Sequence, residues 1–268
     1  MLSSSAGECI VEGSDVLIYI DRRRRWVVRV HRGGSTGSDY GVIEHEHVIG
    51  KEFGSAIRLK LGRRAFLLPP LLIDYLERGF KRRTQVIYPK DIGLIVVLLG
   101  IGPGSRVLEA GIGSGFATAV IANIVRPNGK VYAYEVRPEF AEVAMENLRR
   151  VGLDKYVEVK IKDVKEVEEQ NLDAALLDMP NPWEALDAVH RALKPGAPVV
   201  FFLPTVNQVI KMVEALRNHG GFVDVRCFET MMREYQVVPE AVRPESFMVG
   251  HTGYILFARK VLYERESC

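Results

Sequence analysis

Cysteine is scarce in this sequence. Cys9, Cys227 and Cys268 are the only three in 268 residues; they lie far apart and include no C-x-x-C pair. An odd, scattered set excludes a disulfide framework and a zinc knuckle, and predicts a cytoplasmic chain. Long apolar runs are missing too. The longest candidate, IGLIVVLLGIG from Ile92, falls short of the roughly 18 residues a membrane span needs and reads as a buried helix. The N-terminus, MLSSSAGECI, lacks the basic-then-apolar layout of a secretory signal. A surplus of one charge is also absent, because 36 Lys and Arg against 34 Asp and Glu leave only +2.

What is present is ordinary globular composition, 47% hydrophobic and 26% charged, with enough chain for one large domain and a small one. The charge is unevenly placed. Residues 1–90 carry a net +6 and residues 91–268 a net −4. A basic front half suggests an anionic partner. Its arginines cluster in DRRRRWVVRVHR, RLKLGRR and ERGFKRR, with Arg22, Arg23, Arg24 and Arg25 at an expected hairpin tip. The planar guanidinium suits a phosphate-bearing partner, the alternative being a solvated surface with scattered ion pairs.

The front segment reads as short strands, DVLIYI and WVVRVH, followed by a flexible HRGGSTGSDYG loop and further β pattern in HVIG and AIRLKLG. That predicts a small β-barrel or sandwich over 1–68. A helical linker follows over 69–100, with one helix between Pro70 and Gly79 and another opening at Pro89 and ending near Gly100. From 101 to 268 strands and helices alternate, which predicts a parallel α/β sheet. No helix separates the last two strands, so the final one is expected to return antiparallel. EHEH places His45 and His47 on one side of an expected strand without a third ligand, which predicts no metal site. Met231, Met232 and Met248 read as core or interface filler.

The chemistry concentrates at strand ends. VLEAGIGSGFA puts Glu109, Gly111, Gly113 and Gly115 at the first strand-to-helix turn, where glycine lets a ligand approach the backbone and the helix N-terminus attracts negative charge. A dinucleotide fingerprint would need a small residue where Phe116 stands. Glu135, ending VYAYE, can accept from both hydroxyls of a ribose and suits any adenosine-bearing ligand. Asp178 ends the fourth strand in LLDMPNPW; Pro180 and Pro182 stiffen the loop behind it, and Trp183 offers a flat apolar face. The alternative for Asp178 is a helix N-cap, although Asn181 lies closer to the helix start. For Trp183 it is core packing.

The spacing E-x-G-x-G-x-G resembles the S-adenosylmethionine loop of class I methyltransferases, and DMPNPW resembles the acid-proline-aromatic motif of enzymes that methylate amino groups of nucleic acids. With RRTQVIYPKD, YEVRPEFAEVAMEN, LPTVNQV and RPESFMVGHTGYILFAR, the stretch from Arg82 to Arg259 resembles the tRNA adenine-58-N1 methyltransferases. The resemblance implies a Rossmann-like class I methyltransferase sheet with a small N-terminal β-rich domain, S-adenosylmethionine as methyl donor, tRNA as partner and a homotetramer. It implies that Glu109, Gly111, Gly113, Ser114, Gly115, Phe116 and Ala117 line the donor, with Glu135 on its ribose and Asp163 and Val164 near its adenine. Gln85 and Tyr88 would close over its methionine end. Asp178 would be the catalytic carboxylate, and Tyr88, Trp183, Arg243 and His251 would face the RNA. Ile112 stands where threonine is frequent, and the loop after Asp178 varies the usual motif. The rivals are a nicotinamide oxidoreductase, an isoaspartyl-protein methyltransferase and a non-catalytic RNA-binding subunit.

Overall fold

The computed structural model describes residues 7–262, which leaves Cys268 outside the described residues. The chain divides into two compact units, one ending at Lys81 and the other beginning at Arg82.

The first unit is built on β1 (Asp15–Tyr19), β2 (Arg25–Arg29), β3 (Ser35–Ser38), β4 (Gly41–Glu44), β5 (Ala56–Arg58) and β6 (Arg64–Leu68). Four of these form an antiparallel sheet in the order β2-β1-β6-β5, and β3 pairs with β4. Ile10, Val16, Ile18, Val30, Ile43, Val48, Ala65 and Leu67 fill its core. Asp21 holds the β1–β2 turn by accepting from the backbone N–H groups of Arg23 and Arg24, the usual reason for an aspartate at a turn. A short helix, α1 (Leu72–Asp74), continues as a wider turn over Tyr75–Gly79.

Three local expectations fail here. The glycine-rich HRGGSTGSDYG segment is not a loop. It supplies the β3–β4 hairpin, because Thr36 and Ile43 bury their side chains and the Ser38 hydroxyl closes the turn onto the Gly41 carbonyl at 2.7 Å. HVIG is not a strand. His45–His47 form a tight helical turn that buries His45 and leaves His47 exposed. The His45 ring accepts from the His31 N–H through Nδ1, so its other nitrogen donates to the Thr36 hydroxyl at 3.0 Å. Both nitrogens are therefore used structurally. AIRLKLG stops pairing after Arg58 and turns over Lys60–Gly62.

The second unit runs α2 (Pro89–Leu99), β7 (Arg106–Ala110), α3 (Phe116–Val125), β8 (Lys130–Tyr134), α4 (Pro138–Arg150), β9 (Val157–Lys160), β10 (Ala174–Leu177), α5 (Leu186–Ala192), β11 (Pro198–Leu203), α6 (Val206–His219), β12 (Phe222–Phe228), β13 (Tyr235–Gln236), β14 (Arg243–Pro244) and β15 (Tyr254–Lys260). Seven strands make one sheet in the order β12-β15-β11-β10-β7-β8-β9. Five are parallel, and β15 lies antiparallel between β11 and β12 as expected. Ala174 to Leu177 of β10 are fully buried, as a central parallel strand with both faces covered requires. The segment WEALDAVHRAL is split, with Pro182–Ala185 forming a tight turn before α5 begins.

This order fixes where a ligand can sit. From β7 the chain builds outward through β8 and β9, then returns to place β10 on the other side of β7. The reversal opens a crevice beyond the carboxyl ends of β7 and β10, the usual ligand position in such sheets. The loops after β7, β8, β9 and β10 all reach that edge.

Candidate active site

The site begins with three glycines. Gly111, Gly113 and Gly115 have φ of 86°, 52° and 79°, the left-handed region that side chains disfavour. Space forbids a side chain as well. A Cβ on Gly111 would stand 2.0 Å from the Asp178 carbonyl oxygen, and one on Gly113 would stand 2.9 Å from Thr84 Oγ1. The loop after β7 is thus pressed against the start of the loop after β10. The Asp178 N–H donates to the Ala110 carbonyl at 2.9 Å, and the Gly111 N–H to the Tyr134 carbonyl at 2.9 Å. Gly115 precedes α3, and no side chain caps that helix start. The opening of α3, with Phe116 and Ala117, is buried against the unit.

Glu135 stands just beyond β8. One carboxylate oxygen accepts from the Gly113 N–H at 3.3 Å and the other from the Arg137 N–H at 3.0 Å. Asp163, beyond β9, accepts from the Lys165 N–H at 2.9 Å and pairs with its ammonium at 3.2 Å. It therefore caps the Val164–Glu166 turn, with Val164 buried behind it.

Asp178 is half-buried. Burial, with the Glu135 charge adding to it, pushes its pKa up from the ordinary carboxylate range to about 7. It is not a helix cap, since the following turn starts at Asn181. Glu109 lies deeper, 2% exposed. One of its oxygens accepts from Thr118 Oγ1 at 3.0 Å, and the other has no partner. Burial, opposed by the Thr118 hydrogen bond and reinforced by the Asp178 charge, raises its pKa to about 8.

Several expected residues have partners within the chain. The Ser114 hydroxyl is turned into the protein, accepting from the Arg83 and Thr84 N–H groups and meeting Thr84 Oγ1 at 3.0 Å. It anchors residues 83–84 to the glycine loop, and Asn147 holds the Ser114 carbonyl from α4. Gln85 is exposed and accepts from Arg82 at 2.6 Å. Tyr88 sits immediately before α2, with the Arg82 guanidinium 5.9 Å from its ring centroid. Trp183 packs on the core beside α5 and α6, with the Lys211 ammonium 4.0 Å from its ring centroid. The ring is thus partly buried, with an exposed lysine over it. Arg243 bonds Gln236 within the β13–β14 hairpin.

His251 has acceptors on both ring nitrogens, Glu229 at 2.6 Å and the Pro204 carbonyl at 2.9 Å. Satisfying both needs two N–H groups, so the ring is held as the imidazolium, with the Glu229 bond raising its pKa above the usual value. In the first unit Arg24 pairs with Asp21 and Asp39, and Arg25 with Glu77 and Asp74. Only Arg22 and Arg23 of the four stand exposed at the tip.

One cluster has no counterpart in the sequence reading. Lys90 Nζ contacts Asp91 Oδ1 at 2.8 Å, the Thr230 carbonyl at 2.9 Å and Thr252 Oγ1 at 2.6 Å. Asp91 accepts from the Thr230 and Thr252 hydroxyls at 2.5 and 2.7 Å and is fully buried. These four residues staple both ends of the 231–251 segment to the start of α2. Lys90 and Asp91 lie in QVIYPKD and Thr252 in HTGY, segments quoted for the resemblance without a role for these side chains.

Residues 76–242 match the family model described as the tRNA methyltransferase complex GCD14 subunit. The chain belongs to this family. The match takes in the glycine loop, the strand-end acids and most of the second unit. A curated relative from Methanocaldococcus jannaschii, a tRNA (adenine(57)-N(1)/adenine(58)-N(1))-methyltransferase, is 37% identical over 91% of this chain and 94% of its own length. Two solved structures align over nearly the whole GCD14-family chain, each at 36% identity. One is the tRNA (m1A58) methyltransferase from Aquifex aeolicus, with a TM-score of 0.87 over 96% of this chain and 100% of that one. The other is a SAM-dependent O-methyltransferase from Thermotoga maritima, with a TM-score of 0.91 over 97% of this chain and 98% of that one. The class I methyltransferase sheet of the second unit, and the fold of nearly the whole chain, are thus shared with these structures.

Proposed function

We propose that this chain transfers a methyl group from S-adenosylmethionine to N1 of adenine 58 in the T-loop of tRNA. The carrying observation is the half-buried Asp178, held against the glycine loop at the switch point of a tRNA methyltransferase family sheet.

The residues fit the donor. The glycines let the loop after β7 pack directly on Asp178 and Thr84 at the sheet edge, and the unpartnered oxygen of Glu109 suits a polar or cationic group. Glu135 and the start of α3 would hold the adenosine, with Asp163 and Val164 near the base. Bound S-adenosylmethionine supplies a methyl carbon activated by its sulfonium. Adenine N1 attacks with a lone pair and loses no proton in doing so. The ring becomes cationic and its N6 amine more acidic. Asp178 in its carboxylate form would accept from N6, orient the base and offset the developing charge. Most of the acceleration would come from positioning. A T-loop adenine is folded into the tRNA core and must be extruded first. The Thermotoga neighbour is named for an oxygen acceptor; the family match and the Methanocaldococcus and Aquifex relatives named for adenine N1 favour the nitrogen acceptor, and N1 needs no base.

Arg22, Arg23, Arg243 and the imidazolium of His251 would meet RNA phosphate. We assign the chain to the cytoplasm as a homotetramer; no helix among the described residues is long and apolar enough to cross a membrane. Exposed apolar side chains crowd residues 231–249, with Phe247 at 93% and Met231 at 74% exposure. Such a patch is unusual on a monomer. Light scattering should return four times the 30.1 kDa chain mass; a monomer would remove the assembly from the proposal.

The deciding experiment is incubation of purified protein with labelled donor and total tRNA, followed by mapping of the nucleoside. The label is expected in N1-methyladenosine at position 58. Label on a ribose hydroxyl, on protein carboxyl groups or nowhere would overturn the assignment.

A further inference from the structure

Three carboxylates meet at the switch point, and no cation answers them. In register, Glu109 of β7 lies beside Leu176 of β10 and Ala133 of β8. Asp178 and Glu135 follow two residues beyond those neighbours. Extended chains alternate faces, so all three acids share one face of the sheet edge. Among the described residues, no Lys, Arg or His forms a salt bridge with any of the three. Among the described residues the titratable group acting on Glu109 is Asp178, which Glu135 faces in turn. Helix α3 presents Thr118 and no ionisable residue, and Asp91 of α2 is already paired with Lys90.

Glu109 is the most exacting of the three. It is 2% exposed, and only one oxygen is hydrogen-bonded. A buried carboxylate with an empty lone-pair side and an acidic neighbour is costly, and the protein can relieve it only by adding a proton or a cation. Resting on the donor site assigned above, we infer that Glu109 carries a proton in the empty crevice and surrenders it to solvent when the cationic groups of S-adenosylmethionine arrive, becoming their buried counter-ion. The donor carries an ammonium, a sulfonium and a carboxylate, a net charge of +1, so its exchange for one released proton leaves the net charge of the crevice unchanged. Glu109 would then gate affinity by pH, separately from the Asp178 chemistry.

The test is titration calorimetry of the full chain with S-adenosylmethionine, in buffers of low and high ionisation enthalpy. At pH 7 the apparent enthalpies should differ by close to one proton's worth of buffer ionisation. At pH 9 the difference should vanish. Affinity should rise about tenfold per pH unit between pH 6 and 7 and level off above 8, as one linked proton requires. Glu109→Gln, which keeps the side-chain shape, should release close to one proton fewer than the wild type at pH 7, leaving only the fraction that Asp178 gives up. Equal enthalpies in both buffers for the wild type at pH 7 would overturn the inference, as would undiminished proton release by Glu109→Gln. Absence of any binding heat, together with a melting temperature unmoved by the donor, would instead sink the donor site itself. Circular dichroism of the variant separates misfolding from a true loss, and if that variant unfolds, Asp178→Asn decides instead: it should keep close to one proton of release at pH 7, and loss of the release in that variant would overturn the inference.

Discussion

Replacing Asp178 by asparagine should move activity and stability in opposite directions. The carboxyl is pushed up to about 7 by burial and by Glu135, from a free value of about 3.9. The folded chain therefore favours the protonated form. Its stability is intact at acid pH, falls as pH rises through the unfolded value, and bears the full cost above the folded one. A shift of about 3 units corresponds to at most about 4 kcal/mol. Asparagine keeps the shape and cannot ionise, so Asp178→Asn should be more stable at pH 8, by about 2 to 4 °C of Tm for each kcal/mol recovered. At pH 5 the two proteins should melt closer together. Turnover should behave the other way. The wild-type rate should climb tenfold per pH unit below about 7 and flatten above 8, because only the carboxylate accepts from N6. The variant should lose roughly 10² to 10⁴ in kcat and keep no pH dependence from this group. Calorimetric melts across pH 5 to 9 and single-turnover methylation of a tRNA transcript read the two effects. A variant that melts lower than wild type at pH 8, or turns over normally, would refute the reasoning.

Other substitutions test other parts of the site. Gly111→Ala would force a Cβ to within 2.0 Å of the Asp178 carbonyl at a φ of 86°, so donor binding measured by calorimetry should be lost with the fold largely kept. Glu135→Ala should weaken donor affinity by roughly tenfold or more, since hydrogen bonds to a charged group contribute about 1.5 to 3 kcal/mol; unchanged affinity would count against the ribose contact. Arg23→Glu, at the exposed tip, should raise the Kd for tRNA and lower its salt slope by about 2, one for the contact removed and about one for the charge added. Asp91→Ala strands a buried ammonium and should cost about 3 to 5 kcal/mol, with faster proteolysis inside 231–251 as the local sign.

The sheet was legible because parallel strands buried on both faces leave an unmistakable pattern. AALL and VVFFL could be little else, and the antiparallel return of β15 follows from the missing helix before it. The first unit was harder to read. A Gly-Gly-Ser-Thr-Gly run looks like a loop, yet Thr36 and Ile43 gain enough burial to pair it as a hairpin. EHEH looks like alternating strand, yet the hydrogen bonds of His45 to Thr36 and the His31 backbone favour a tight turn. Strand-end acids were found in the right places, since their position follows from the strand pattern alone. Partner choice was not legible. Nothing in the spacing of Ser114 says that its hydroxyl faces Thr84, thirty residues earlier. Arg24 and Arg25 look as free as Arg23 until Asp39, Asp74 and Glu77 come beside them in space.

The acids at the switch point and the Lys90–Asp91 staple show one principle from two sides. In the staple a buried carboxylate receives an ammonium and two hydroxyl donors, so its charge is answered within the chain. In the crevice, Glu109 meets one hydroxyl and the Asp178 charge, Asp178 meets the Glu135 charge, and the fold supplies no cation. A chain selected only for stability would replace such a pair with apolar residues, which is often neutral or stabilising. The residual tension is what a cationic ligand can discharge on arrival. A neutral or anionic dinucleotide would add nothing to that balance, so the same residues that destabilise the empty edge also discriminate between ligand classes. If Glu109→Gln and Asp178→Asn both stabilise the empty protein while reducing its preference for S-adenosylmethionine over its uncharged-sulfur product, the instability and the selectivity have one source. A preference left unchanged in both variants would place donor selectivity elsewhere in the crevice.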